Sequence, residues 1–367
     1  MKIICVILCA FFTLNNSNLF AQEYVNPKLS VIGDFKSSFH KNKYEDSCNK
    51  LLFHAPEAEI HLDGFIYNNA EGHVVFGWHD NHNSELEELY ATFNSNSKLK
   101  YKVGKYLLEF DNLNNIHSHE YSFVRRPITY QTFFGADGLK DMTVEIQYSF
   151  HDTKINNILF GVLQGEFMSH SHHDESETES DNFTNLGYYG RIREDISISD
   201  NSNLQVGLSV LSGAQDEEDD TLINKEYRSW FVGSDFQYSR NSDKSNSLDI
   251  TSHTLVKWSE NELNDSFLKS YGYFGEINYS FDQKLNIGFL MDYISNNEVH
   301  HDEINSLVYK ENNSTKRLAL FGGYILHEGS AISRGLIGYT KENDNSSYLE
   351  VIFQLVIHLG QHEHHKH

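Results

Sequence analysis

The sequence predicts an all-β protein, a single antiparallel transmembrane β-barrel of about 16 strands (14 to 18). Short segments of alternating character recur along the chain. Residues 57–68, for example, place Ala58 and Ile60 on one face and Glu59 and His61 on the other. Aromatic residues make up 13% of the chain, with 25 Phe and 21 Tyr against 3 Pro. Barrel strands combine lipid-facing apolar residues with lumen-facing polar ones, and aromatic residues mark the two membrane interfaces.

Sixteen segments have this alternating pattern: 28–38, 57–68, 73–80, 85–93, 98–110, 142–150, 157–168, 185–198, 203–213, 227–239, 247–258, 269–281, 284–295, 317–326, 331–340 and 347–360. Short and long connections alternate in the middle of the chain, as periplasmic turns and external loops do in such barrels. The alternative is a soluble array of two or three β-sandwiches. It should have corners rich in Pro and Gly, and the scarcity of Pro favours the barrel.

One long segment between the early strands does not alternate. It runs from His117 to Asp141, after the strand that ends near Phe110. Inserts of this length are uncommon in ordered domains and are usually functional or disordered. The apolar side chains of this one argue against disorder. We predict that the insert folds inward and narrows the pore, with an aromatic plug that only packs as the alternative. The predicted constriction residues are Tyr121, Phe123, Arg125, Arg126, Phe133 and Phe134.

Arg125 and Arg126 allow two interpretations. Facing the lumen, they would set a transverse field against loop carboxylates, as charged residues do in pores. Alternatively, they form a structural ion pair that anchors the insert.

The sequence predicts three parts in the chain: a signal peptide, the barrel and a short tail. Residues 1–21 are predicted to be a signal peptide, because a short positive start and an apolar run are followed by Ala21 before the cleavage point. The barrel then covers 22–360, and 361–367 form a His-rich tail. Two of the three cysteines lie in the signal peptide. Cys48 is left alone, so disulfides do not hold the fold.

Charge limits the class of partner. The formal net charge is −23 at pH 7. A negative field repels nucleic acid and anionic substrates and favours cations, so no nucleic-acid partner is expected. The alternative source of this charge is acidic loops that solvate the outer face of a barrel.

Histidine is unusually frequent, at 21 of 367 residues. Neutral imidazole is a common ligand of transition metals. Residues i and i+2 of an extended strand share a face, so His117 and His119 could share a metal with a third ligand. The predicted metal ligands are His117, His119, His170, His172, His173, His300, His301, His362, His364 and His365. The alternative is that polar loops rich in His have no specific ligand. No cofactor is required, and zinc or another divalent cation is expected to bind weakly.

Several segments together resemble one family of Gram-negative outer-membrane proteins: NPKLSVIGDF (26–35), ELEELYATF (85–93), VGKYLLEFDNLNNIHSHEYSFVRRP (103–127), FFGADGLKD (133–141), RLALFGGYILHEGSAISRGLIGYT (317–340) and EVIFQLVIHLGQHEHHKH (350–367). This family consists of porin-like barrels often labelled zinc-regulated or TonB-dependent outer-membrane receptors. The resemblance implies a barrel with an N-x-x-H-x-H segment, here Asn114 to His119, between early strands.

These observations predict a porin-like channel of the outer membrane, surrounded by lipid, that passes small solutes or cations. Its His- and acid-rich loops would capture zinc or a similar metal. Two alternatives stay open: a non-conducting receptor or binding protein with metal-responsive loops, and a TonB-dependent metal uptake receptor. A TonB-dependent receptor needs a larger barrel and a plug domain, whereas this chain spends almost all its length on strands. The sequence also leaves a homo-oligomer open.

An enzyme is not predicted. The chain has no Gly-x-Ser-x-Gly and no His-Glu-x-x-His motif. His253 and His151 are the residues that a hidden hydrolytic site would use, but no nucleophile near them stands out in the sequence.

Overall fold

The structure is a computed structural model. It describes residues 27–42, 50–78, 84–150, 156–165, 167, 186–217, 225–242, 245–260, 267–302, 307–326, 330–343 and 346–360, with the backbone alone at 215–217, 225–226, 298–302 and 307–311. The predicted signal peptide and the His-rich tail lie outside these ranges.

The described residues form seventeen strand segments: β1 (Lys28–Asn42), β2 (Leu51–Phe53), β3 (Glu57–Tyr67), β4 (Ala70–Trp78), β5 (Glu85–Asn94), β6 (Leu99–Leu107), β7 (Lys140–Ser149), β8 (Asn157–Leu163), β9 (Gly187–Ser199), β10 (Ser202–Glu217), β11 (Lys225–Asn241), β12 (Ser247–Ser259), β13 (Leu268–Phe281), β14 (Leu285–Asp302), β15 (Leu307–Leu326), β16 (Ala331–Glu342) and β17 (Ser347–Gly360).

All of these strands belong to one closed antiparallel sheet. Consecutive strands pair with each other, and β17 returns to pair with β1 from Ser30 opposite Gly360 to Asn42 opposite Tyr348. Both β2 and β3 pair with β1, so they act as one interrupted strand. The described part of the chain therefore has sixteen strand positions, and the predicted sixteen-stranded barrel is confirmed.

The outer face of the barrel is apolar and the inner face is largely polar, as β17 shows. Leu349, Val351 and Phe353 are 40%, 39% and 51% exposed, whereas Glu350 and Gln354 between and after them are fully buried. Successive side chains of a strand point to opposite faces, so the exposed apolar set faces outward and the buried polar set faces the lumen. Lipid is the solvent that suits such an exterior.

Exposed aromatic residues lie near the two ends of the strands. Tyr67, Tyr148 and Tyr324 are exposed near the ends joined by short turns. Trp78 and Tyr339 are exposed near the opposite ends. The amphipathic rings of Tyr and Trp favour membrane–water interfaces, so these residues are placed where two aromatic girdles are expected.

The chain between β6 and β7, residues 108–139, is the long insert. It contains a 3-10 helix, Ser118–Glu120, and an α-helix, α1 (Ile128–Phe134). The sequence had predicted an irregular segment here. Helix α1 begins after Pro127, which has φ −58°, and ends at Gly135, which has φ 82°. In the described part of the chain, no helix is long and apolar enough to cross a membrane.

Aromatic side chains of the insert pack against the inner faces of several strands. The ring of Phe123 lies 5.4 Å from that of Phe274 on β13 and 5.9 Å from that of Phe321 on β15. The ring of Phe134 lies 5.3 Å from that of Phe231 on β11. These residues belong to one buried apolar cluster. The insert and apolar side chains of the inner wall therefore form one buried core together.

Polar contacts tie the same insert to strands around the barrel. They reach β3, β5, β9, β10, β11, β12, β13, β14, β16 and β17. One segment can contact the inner faces of all these strands at once only from within the lumen.

The strand boundaries correct three predictions. Residues 296–314 were expected to be a loop carrying His300 and His301, but β14 continues to Asp302 and β15 begins at Leu307. The sequence of this part combines Val299, Leu307 and Val308 with many polar residues, so it lacks the regular apolar alternation by which the other strands were recognised. In addition, the strand expected at 98–110 ends at Leu107, and the one expected at 157–168 ends at Leu163.

Glycine at the inner wall makes room for the insert, and this gives a stability prediction. A Cβ added at Gly272 would lie 2.2 Å from Thr129 Cγ2, whereas one added at Gly335 meets no atom closer than the Ile352 carbonyl oxygen at 3.9 Å. We expect Gly272→Ala to lower the free energy of unfolding by about 1–3 kcal/mol relative to Gly335→Ala, because it overpacks the contact between α1 and β13. Urea unfolding of both variants in detergent micelles measures this difference. Equal midpoints would contradict this packing.

Candidate functional site

Glutamate and histidine side chains lie together where the first half of the insert contacts β3 and β5. We call this group the inner cluster, and it consists of Glu59, His61, Glu87, Glu88, His117 and His119. All six side chains are largely buried.

Strand β3 supplies the first two members from its inner face. Glu59 and His61 are two residues apart, so the strand directs both side chains to the lumen. His61 Nε2 lies 3.0 Å from Glu59 Oε2. The sequence had already placed these two residues together on the polar face of the segment at 57–68.

Strand β5 supplies two adjacent glutamates through a β-bulge. Val75 of β4 pairs with Glu88, and the next residue, Phe76, pairs with Leu86, so Glu87 has no partner of its own. A bulge interrupts the alternation of side chains and re-aims one of them. As a result, Glu87 and Glu88 are both buried, at 7% and 5% exposure. Simple alternation would have directed one of them to lipid.

The insert supplies His117 and His119, and both face Glu59. His117 Nδ1 lies 3.4 Å from Glu59 Oε2, and His119 Nδ1 lies 3.3 Å from Glu59 Oε1. The two imidazole rings are stacked, with centroids 5.4 Å apart. The expected pairing of these histidines came from the geometry of an extended strand. In the structure, His119 lies in the 3-10 helix and His117 precedes it.

His117 also faces the bulge of β5. Its Nε2 lies 3.6 Å from Glu88 Oε2, and its Nδ1 lies 4.0 Å from Glu87 Oε2. Burial alone would lower the pKa of His117. The charges of Glu59, Glu88 and Glu87 outweigh burial and raise this pKa to about 10. The cluster therefore favours positive charge at this position.

Two further histidines border the inner cluster. His73 of β4 places Nε2 3.5 Å from Glu88 Oε2 and hydrogen-bonds to Asp63 through Nδ1. The ring of His358 on β17 lies 6.1 Å from that of His119. Sequence reasoning missed both of these residues as members of a site, since each lies on a different strand and no local spacing marks them.

The inner cluster contains a set of ligand atoms close enough to hold a metal. Glu59, His117 and His119 each offer one ligand atom, and these three atoms lie within 4.8 Å of one another. Among the described residues, this is the group of three ligands that is close enough to hold a metal. A cavity of about 40 Å³ lies beside the cluster, lined by Glu59, Glu87 and His117 together with residues from both ends of the insert. It is large enough to hold water.

A second polar group anchors the insert on the far side of the lumen. Tyr130 hydrogen-bonds to Asp111, and its hydroxyl also lies 3.0 Å from His253 Nδ1 of β12. Burial disfavours the ionised form of Asp111. The charge of His253, whose Nδ1 lies 3.5 Å from Asp111 Oδ2, and the hydrogen bond from Tyr130 outweigh burial and lower the pKa of Asp111 to about 2. His253 was named above as a residue that a hidden hydrolytic site would use. In the structure it contacts Tyr130 and Asp111 of the insert.

Arg125 and Arg126 have different surroundings. Arg125 donates two hydrogen bonds to the Glu350 carboxylate on β17, at 2.8 and 3.0 Å, so it forms the anchoring ion pair. The guanidinium of Arg126 is buried, lies 5.5 Å from the centre of the Tyr121 ring and donates to the Ile116 carbonyl at 3.4 Å.

The aromatic residues predicted to form the constriction are all buried. Tyr121 and Phe123 are stacked, with ring centroids 5.0 Å apart, and burial raises the pKa of Tyr121 to about 12. Phe133 and Phe134 contact each other and Phe231. These side chains pack in the buried core inside the lumen. Packing of this kind is what the alternative, an aromatic plug, predicts.

Most of the other predicted metal ligands fall outside the described residues: His170, His172, His173, His362, His364 and His365. The backbone of His300 and His301 lies in β14, and their side chains are not among those described.

Known structures share this barrel fold. OprB of Pseudomonas putida matches with a TM-score of 0.57 at 9% identity, covering 91% of this chain and 94% of that chain. The outer membrane channel DcaP of Acinetobacter baumannii matches with a TM-score of 0.56 at 10% identity, covering 91% and 96%. OmpT expressed in the outer membrane of Vibrio cholerae matches with a TM-score of 0.55 at 9% identity, covering 93% and 100%. No protein-family model and no curated protein matches the sequence significantly.

The closed sheet and its apolar exterior place the protein in the outer membrane. In a bilayer a closed barrel pairs every backbone group of its strands, and outer-membrane barrels have this combination of apolar outside and polar inside. The similarity to solved outer-membrane barrels agrees with this location.

Asp111 makes the stability of the barrel depend on pH. Its pKa is lowered in the folded protein, so its contribution is fully present above its ordinary pKa of 3.8 and is lost as pH falls through about 2. We expect Asp111→Asn to cost about 2 kcal/mol at neutral pH, since one pKa unit corresponds to about 1.4 kcal/mol. Denaturant unfolding at pH 7 and in acid, with Asp137→Asn as an exposed control in the same insert, measures this contribution. A variant that loses as much stability in acid as the native protein would contradict it.

Proposed function

We propose that this outer-membrane barrel is a porin-like channel for passive passage of small solutes or cations, with residues 108–139 as its constriction. The observation that carries the proposal is the position of the insert, which contacts inner faces around the barrel from β3 to β17. A lumen of sixteen strands is wide enough for an aqueous path, and a segment lying across it sets the width and chemistry of that path.

Electrostatics supports a preference for cations. Glu59, Glu87 and Glu88 lie together on one side of the lumen. Several cationic side chains on other sides are paired with carboxylates, as Arg125 is with Glu350 and Arg191 with Asp235. Pairing cancels much of their field, whereas the inner cluster has more carboxylates than permanent positive charges. Acidic side chains in a pore attract cations.

The finer part of the proposal is capture of zinc or a similar divalent cation. His117 and His119 face a carboxylate within the lumen. The histidines at 170–173, 300–301 and 362–365 would add to the capture of cations. The resemblance to outer-membrane proteins labelled zinc-regulated supports this part. Energised uptake is not included, because the described residues between 27 and 360 form the barrel, its turns and the insert, without a separate plug domain.

The neighbouring structures support the same proposal at the level of fold. DcaP is described as an outer membrane channel. OmpT of Vibrio cholerae is described in a trimer form. A homo-oligomer of the present chain is therefore part of the proposal, and crosslinking in native membranes tests it.

Single-channel recording in planar bilayers tests the function directly. We expect the purified barrel to conduct, with a reversal potential that shows cation selectivity. Replacing residues 112–137 by a short Gly/Ser linker should raise the conductance several-fold, because it removes the segment that crosses the lumen. Deleting residues 79–83, between β4 and β5, is the matched control and should leave the conductance unchanged.

Absence of conductance in the native barrel, with conductance appearing when the insert is shortened, would contradict an open channel. It would indicate a plugged barrel that acts as a receptor or binding protein.

A further inference from the structure

We infer that Glu59, His117 and His119 form a site for a divalent transition metal that joins the insert to the barrel wall. This inference deepens the proposed function and rests on it for the role of the metal in the channel. One ligand comes from β3 and two come from the insert, so a bound metal would crosslink two elements that the sequence separates by almost sixty residues.

The distances already approach those of a metal site. Bonds of about 2.0–2.1 Å in a tetrahedral arrangement place ligand atoms about 3.3 Å apart. The Nδ1 atoms of His117 and His119 lie 3.4 and 3.3 Å from the two carboxylate oxygens of Glu59. The three ligand atoms lie within 4.8 Å of one another, so rotation of the two stacked imidazoles has to bring them closer around one ion.

Either of two groups would supply a fourth ligand. His61 Nε2 lies 3.0 Å from Glu59 Oε2, on the same inner face of β3. Water from the adjacent cavity of about 40 Å³ is the other source. Three protein ligands with an accessible fourth position describe an open site, in which the metal can exchange. A site of this kind suits a cation that arrives through the lumen.

The ligand set selects the class of metal. Two imidazoles and one carboxylate suit zinc and the neighbouring divalent ions, whereas calcium and magnesium take oxygen ligands. Glu87 and Glu88 lie within 4.0 Å of His117 without being needed as direct ligands. A carboxylate that holds the second nitrogen of a metal-bound imidazole orients the ring and raises its basicity, and Glu88 is placed for this at His117 Nε2.

The position of the site gives it a mechanical role. Hydrogen bonds hold both halves of the insert to the wall, such as those of Asn112 with Gln237 in the earlier half and of Thr129 with Asp292 in the later half. The proposed metal would fix the earlier half against β3. Metal binding would then alter the constriction without displacing the rest of the insert.

Cobalt titration of the full-length barrel in detergent tests the site, because cobalt reports coordination through its visible spectrum. The background variant replaces His170, His172, His173, His300, His301, His362, His364, His365 and His367 by Gln to remove the other predicted histidine clusters. We expect it to bind one equivalent of Co²⁺ with the spectrum of a four- or five-coordinate ion, and Zn²⁺ to displace it.

Substitutions in this background identify the ligands. We expect His117→Gln with His119→Gln to abolish the spectrum, and Glu59→Gln, which preserves shape, to weaken binding by more than about tenfold. His54→Gln, an exposed histidine near the end of the barrel wall, is the control and should bind as the background variant does. Absence of the one-equivalent spectrum, or its persistence in the double variant, would overturn the inference.

Failure of this inference is distinguishable from failure of the proposed function. A barrel that conducts but binds no Co²⁺ would exclude the metal site and leave the channel intact. A barrel that binds Co²⁺ through these residues but does not conduct would retain the site and exclude the channel. If both hold, micromolar Zn²⁺ should change the single-channel current of the background variant and not that of its His117→Gln, His119→Gln derivative.

Discussion

The pairing of β1 with β17 is the interaction on which the rest of this structure depends. In lipid an unpaired strand edge is prohibitively costly, so the sheet has to close on itself. Closure fixes which face of every strand meets lipid and which meets the lumen, and it brings strands distant in sequence to one enclosed space. The apolar exterior, the polar inner wall and the location of the insert all follow from it. The inner cluster exists because β3, β4, β5 and β17 border the same part of that space.

Within the lumen, the insert combines two kinds of contact. Its aromatic residues pack with apolar side chains of the inner wall, such as Phe231, Phe274 and Phe321, in one buried core. Its polar groups meet partners on the wall, so that buried charges are compensated, as with Asp292 at the start of α1 and Arg317 beside it at 3.2 Å. On the β3 and β5 side, carboxylates accumulate opposite imidazoles instead of guanidinium groups. That difference is the basis of the metal site proposed on this side.

The barrel was predictable from sequence because lipid imposes a period of two on every strand that crosses it. The hairpin around His300 was mistaken for a loop since, beyond the membrane, no apolar face is required. Only part of the candidate site could be predicted from the sequence. His117 and His119 stood out as a pair, and Glu59 lay on a recognisable polar face, but the register that unites them is a long-range property. Glu87 was hidden by a bulge that breaks the alternation used to assign faces.

Crosslinking the insert to the wall tests directly whether residues 108–139 lie within the lumen. Thr129 Cβ lies 3.3 Å from the position of a Cβ at Gly272, a separation close to that of a disulfide. In a Cys48→Ser background, Thr129→Cys with Gly272→Cys should form a disulfide nearly completely under mild oxidation, and Thr129→Cys with Gly335→Cys should not. An absence of crosslinking in the first pair, in a barrel shown to be folded, would contradict the account.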